Sequence, residues 1–168
     1  MEYVKDFLLT EAFLVKGHVP TGGQRLSNWL NARRQPFVPV ADATLVGVQK
    51  GDRIVTARCQ VALDEVLLAH ELIDAAGDAW LRRLADADGE RVLVHLYFGG
   101  SLPLEVSGRM RAKAIHRADD GALDFLVVTE PKIEGLDRSR GREFEVLRSV
   151  PYVIVNRRRL AYVFDYSA

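Results

Sequence analysis

A single cysteine, Cys59, is all that the 168 residues offer for redox chemistry, so no disulfide can brace the chain from within. Net charge is missing too. Lys+Arg and Asp+Glu both number 23, and the balance holds in each half, so no global field draws the chain to nucleic acid or to a membrane surface. No apolar run approaches the roughly 20 residues of a spanning helix, and the N-terminus shows no charged-then-apolar leader. A cytoplasmic protein with no membrane association is the expectation.

Recognisable chemistry is equally scarce. His18, His70, His95 and His116 form no i, i+3 or i, i+4 helical pair, and the spacing offers no set of three or four zinc ligands. There is no Gly-x-Ser-x-Gly, Walker or dinucleotide-binding pattern. Gly22-Gly23 follows Pro20 and reads as a turn. Cys59 alternates with Arg58 and Gln60 and reads as a small core residue on the apolar face of a strand. No catalytic residue, metal site or cofactor is expected, and an enzyme ranks last among the functions.

What the chain has is period two, the mark of strands with one buried face. Leu104, Val106, Gly108, Met110, Ala112 and Ala114 alternate with polar residues, and Val55, Ala57, Cys59, Val61 and Leu63 alternate with Thr56, Arg58, Gln60 and Ala62. Phe7–Val19, Phe37–Val48, Val66–Leu72, Arg91–Phe98, Asp124–Thr129, Glu143–Leu147, Tyr152–Asn156 and Leu160–Tyr166 read as further strands. Leu26, Trp29 and Leu30 share a face and predict a short helix. Trp80, Leu81 and Leu84 predict another within Asp74–Asp86.

The chain also repeats itself. Phe37-Val38-Pro39-Val40-Ala41-Asp42 reads against Phe125-Leu126-Val127-Val128-Thr129-Glu130, and each stretch reaches a Gly and an aliphatic at the same offset. Leu14-Val15-Lys16-Gly17 echoes Glu105-Val106-Ser107-Gly108, and Val66-Leu67-Leu68-Ala69 echoes Val153-Ile154-Val155-Asn156. Three echoes in one order, each displaced by about ninety positions, imply a duplicated unit. The fold expected is mainly β: two related small barrel units of the SH3 or Sm type, with one or two short helices. Residues 1–73 and 90–168 would be the units and 74–89 a helical connector, unless the halves pack as one compact domain.

Basic residues supply the one candidate ligand site. Arg109, Arg111 and Lys113 stripe one strand face, and Arg117 follows; Arg138, Arg140 and Arg142 alternate in a loop; Arg157, Arg158 and Arg159 fill a turn. If the last two groups converged, they would bind an anion such as RNA or a nucleotide. Interspersed acids such as Asp137, Glu143 and Glu145 support the plainer reading of a mixed solvated surface. The run Asp137–Arg142 also looks like the Arg-x-x-x-Arg and Asp/Asn-x-Ser-x-x-Gly pair with which PilZ barrels bind cyclic di-GMP. Its second motif is one residue short and the two overlap, so that function does not carry over.

Phe7–Leu72 resembles a family of small bacterial β-proteins. The resemblance rests on Val15-Lys16-Gly17-His18-Val19-Pro20, Arg25-Leu26-Ser27-Asn28-Trp29-Leu30-Asn31 and Phe37-Val38-Pro39-Val40-Ala41-Asp42-Ala43. It implies a barrel and no activity. The function expected is a binding or assembly module that meets a protein partner, or itself, through edge strands or the Trp29 and Trp80 regions. Anion binding is the alternative.

Overall fold

The computed structural model describes residues 5–71, 90–116, 123–136, 139 and 141–165. In the first half, β1 (Asp6–Leu9), β2 (Phe13–His18), α1 (Leu26–Ala32), β3 (Phe37–Gly47), β4 (Arg53–Ala62), a 3-10 turn (Leu63–Glu65) and β5 (Leu68–Glu71) follow in order. The second half holds β6 (Arg91–Phe98), β7 (Glu105–Arg111), α2 (Ala112–His116), β8 (Phe125–Glu134), α3 (Arg142–Arg148), β9 (Tyr152–Asn156), a 3-10 turn (Arg157–Arg159) and β10 (Leu160–Asp165). The helix expected in Asp74–Asp86, with Trp80, lies outside the described residues, as does the connector 74–89.

The strands form one antiparallel sheet of ten, in the order β10-β6-β7-β8-β9-β5-β1-β2-β3-β4. Each half is a meander of four strands whose fifth returns beside the first: β5-β1-β2-β3-β4 and β10-β6-β7-β8-β9. A 3-10 turn precedes the fifth strand in both. The halves meet where β9 pairs with β5, Leu68 opposite Val155 and Ala69 opposite Ile154. The expectation of barrels is corrected in one respect: among the described residues the sheet is open, with β4 and β10 at its two ends. A strand has two hydrogen-bonding sides, and the free side of β9 is taken by the other half rather than by a strand of its own.

Register repeats along with order. β2 pairs β3 with Lys16 opposite Thr44 and His18 opposite Ala41, a shift of one residue across Gly17. In β7 and β8 the same shift falls across Gly108, with Ser107 opposite Lys132 and Arg109 opposite Thr129. The extra residue is Asp42 in one bulge and Glu130 in the other, with φ 47° and 51°. Phe37 opens β3 opposite Ala62, the end of β4; Phe125 opens β8 opposite Asn156, the end of β9. The first two sequence echoes therefore coincide with structural equivalence. The third does not: it matches β5 with β9, whereas strand order sets β5 against β10 and β4 against β9. Short aliphatic strands look alike in sequence, and only the ladder tells them apart.

Three further readings are corrected locally. Phe7–Val19 is a hairpin, because Thr10 turns the chain: its hydroxyl donates to Phe13 O at 3.0 Å and accepts from Phe13 N at 3.1 Å. Leu104–Ala114 ends as a strand at Arg111 and continues as α2. Glu143–Leu147 is helical. Phe144 and Leu147 are its buried apolar pair, a helical spacing, whereas Val146 is exposed. Acids in the first turn and Arg148 in the last suit the helix dipole.

Alternate residues of a strand face opposite sides, and the sheet buries both. One core takes Phe7, Leu9, Leu14, Val46 and Val48 of the first half with Val94, Leu96, Val106, Val128, Phe144 and Leu147 of the second. The other takes Leu8, Val15, Leu26, Leu30, Val38 and Val40 with Phe125, Tyr152 and Ile154. Each half thus contributes to the core of the other.

Candidate functional site

The two ends of the sheet carry most of the large apolar exposure. Along β4, Ile54 is 47% and Val55 76% exposed; along β10, Tyr162, Val163 and Phe164 are 68%, 41% and 54% exposed. The apolar face expected for β4 is only partly covered: Val61 is buried and Cys59 half-buried, while Ala57 is exposed. Cys59 is therefore not a sealed core thiol, although burial still raises its pKa. Neither strand carries Pro or Lys; β4 has the exposed Arg53 and Arg58, whereas β10 has no basic residue. Natural sheets usually blunt their edges with such residues.

Equivalent phenylalanines show what an edge lacks. Phe125 is 3% exposed, in a core with Leu26 and Leu30 of α1. Asn31 of α1 grips its backbone, accepting from Phe125 N at 2.8 Å and donating to Phe125 O at 2.9 Å. Phe37, at the same place in the first half, is 49% exposed.

A second feature is a cleft of ≈ 230 Å³ beside α1, β7 and β8, walled by Arg25, Arg91, Arg109 and Arg111 with Asn28 and Leu123 among its other residues. Arg91 donates to Thr129 Oγ1 at 3.1 Å, Arg25 pairs with Glu71 at 3.3 Å and Arg109 with Glu130 at 3.3 Å. The stripe of Arg109 and Arg111 foreseen in the sequence borders this cleft, and Lys113 is exposed nearby on α2. Arg25, Asn28 and Asn31 were missed; their three-residue spacing on one short helix was the available signal.

Of the six arginines nominated from sequence, Arg138 and Arg140 lie outside the described residues, and Arg142 is exposed at the start of α3. Arg157, Arg158 and Arg159 are matched to carboxylates: Arg157 to Asp124 at 3.8 Å, Arg158 to Asp64 and Asp124 at 3.8 Å, Arg159 to Glu11 at 3.1 Å and Glu65 at 3.8 Å. They draw the 3-10 turn of one half against that of the other. Trp29 is partly buried, with the Arg33 guanidinium 4.3 Å over its ring.

A buried polar cluster lies where β1, β5, β9 and α1 meet. Asp6 and Glu71 are directly opposed across β1 and β5. Asp6 accepts from Val19 N at 2.9 Å, yet burial, with Glu71 nearby, pushes its carboxyl up to about 6. Glu71 accepts from Leu26 N at 3.0 Å, an otherwise orphaned helix-start donor, and from the Tyr152 hydroxyl at 3.1 Å. His70 packs against Tyr152 with centroids 4.6 Å apart, and burial lowers its pKa to about 4. Glu71 thus fastens the start of α1 to the sheet, and Asp6 holds the backbone just after β2. Among the described residues, no group of three or more His, Cys, Asp or Glu side chains could hold a metal ion.

No family model, curated protein or solved structure matches this chain. Among the described residues no helix is long and apolar enough to cross a membrane.

Proposed function

We propose that the protein is a non-catalytic assembly module, made of two diverged copies of one SH3/Sm-like unit, that contacts protein through its open sheet edges. Support for the two copies comes from their common strand order, the shared place of the 3-10 turn and the repeated bulge. The observation that carries the function is the set of exposed apolar residues on β4 and β10, strands of ten and six residues with no described strand on their outer sides and no Pro or Lys of their own. The test is native mass spectrometry on gently purified protein, repeated across ionic strength. A defined multimer or complex that persists as salt rises is the expected result. A monomer at every concentration overturns the reading.

The arginine-lined cleft favours a second reading, anion binding. Four guanidinium groups beside apolar residues suit a phosphate attached to a flat or apolar body, as in a nucleotide or RNA end. Titration with a mononucleotide and a short RNA tests it. Affinity that falls steeply with salt, and is lost in Arg91→Ala with Arg111→Ala, would establish it. Binding unchanged in that double variant would place the anion elsewhere, with Arg138, Arg140 and Arg142 the next to replace.

A further inference from the structure

We infer that the occupant of the open edges is a second copy of this chain, joined head to tail with β4 of one chain on β10 of the next. This rests on the assembly reading above and names its partner and register. The chain itself shows what a fourth strand of this unit pairs with. β9 is the fourth strand of its half, and its outer side is covered by β5, the fifth strand of the other half. Among the described residues, β4 is the fourth strand left without such a neighbour, and β10 is the fifth strand left without one. A copy of the chain carries the missing complement to each edge.

The inner junction fixes the register of the outer one. β3 pairs β4 as β8 pairs β9, making Val61 the equivalent of Val155 and Gln60 that of Ile154. β1 pairs β5 as β6 pairs β10: Leu8 and Leu96, equivalent through their partners Val15 and Val106, lie opposite Ala69 and Val163. Val163 then takes the place of Ala69 and Tyr162 that of Leu68. The Leu68–Val155 and Ala69–Ile154 pairs therefore translate into Tyr162 opposite Val61 and Val163 opposite Gln60, with Phe164 opposite Cys59 next along.

On the β10 side exposure agrees with this arrangement. Tyr162, Val163 and Phe164 are exposed at the positions that would enter the joint. Phe125, beside the inner junction, is sealed by the neighbouring half, whereas Phe37, beside the open edge, is half exposed. A next copy would bring its second half to Phe37 as the first half is brought to Phe125. Such a heterologous joint uses two different edges of each chain, so it closes into a ring or grows into a filament.

Disulfide trapping tests the joint. Phe164→Cys leaves the native Cys59 as its designated partner. Gln60→Cys with Val163→Cys, in a Cys59→Ser background, samples the adjacent pair. Successive antiparallel pairs alternate between close and wide Cα spacing, and both spacings fall within disulfide reach. Both sites are on exposed or half-exposed edge positions, and circular dichroism confirms that each variant is folded. The expected result is a ladder of covalent dimers and higher multimers under mild oxidation, absent from Phe164→Cys with Cys59→Ser. Multimers by native mass without cross-linking in either design overturn the joint while leaving assembly by another surface. Cross-links that leave the mass of one chain, or a monomer in all conditions, overturn it as well; the last also removes the assembly reading.

Discussion

Asp42 and Glu130 stand in the same left-handed backbone conformation, φ 47° and 51°, at the same bulge of two different strand pairs. Each lies across from a glycine in the neighbouring strand. A side-chain carbon on Gly17 would come within 2.5 Å of Val40 Cγ1 and 2.7 Å of Ala41 O; one on Gly108 would come within 2.5 Å of Val128 Cγ1 and 2.8 Å of Thr129 O. The backbone crosses so closely at both bulges that hydrogen is the only substituent that fits.

Gly17→Ala and Gly108→Ala should each destabilise the fold by about 1–3 kcal/mol, because a buried Val and a backbone carbonyl must both shift. Urea unfolding of the two variants checks this. Comparable losses are expected, since the crowding atoms and distances match.

The bulge residues should respond in the opposite sense. Left-handed geometry costs a residue with a Cβ roughly 1–2 kcal/mol, a cost glycine avoids at the price of greater chain entropy. Glu130→Gly should therefore be neutral or stabilising by up to about 1 kcal/mol, and Glu130→Val destabilising, as read by thermal unfolding. The exposed pair of Glu130 with Arg109 contributes little to either result.

Asp6 and His70 pull the pH dependence of stability in opposite directions. Asp6 moves from 3.8 to about 6 on folding, so its contribution is full below pH 3.8 and is lost as pH rises through 6. His70 moves from 6.5 to about 4, so its contribution is full above pH 6.5 and is lost as pH falls through 4. The two offset each other in between. Asp6→Asn removes one of them, and its stability should fall by about 2–3 kcal/mol more than that of the parent between pH 6.5 and 4. Urea midpoints at the two pH values measure the difference.

Asn31→Ala should cost about 1–3 kcal/mol, because it strips partners from both backbone groups of Phe125 at the start of β8. The same variant should speed amide exchange at Phe125 selectively, which separates this clamp from general loosening of α1.

Much of this architecture is legible in the chain, for reasons that differ by element. Gly17 with Asp42, and Gly108 with Glu130, could be matched because a bulge needs special backbone positions that leave a trace in residue type. Leu26 and Leu30 declared α1 by their spacing. The open ends were not legible: Val55, Ala57 and Cys59 alternate just as a covered strand would, and only the ladder reveals that nothing described lies beyond them. The cleft was half legible. Arg109 and Arg111 could be seen as a stripe, but Arg25 and Arg91 arrive from distant segments. Asp6, Glu71 and Tyr152 come together only because β1, β5 and β9 are neighbours in the sheet.

Hydrogen exchange as a function of protein concentration tests the central claim most directly. If the inner junction is repeated between chains, outward-facing amides of β4 and β10 should gain protection together as concentration rises, while those of β5 and β9 stay protected throughout. Equal, fast exchange of the β4 and β10 edge amides at every concentration would contradict the account.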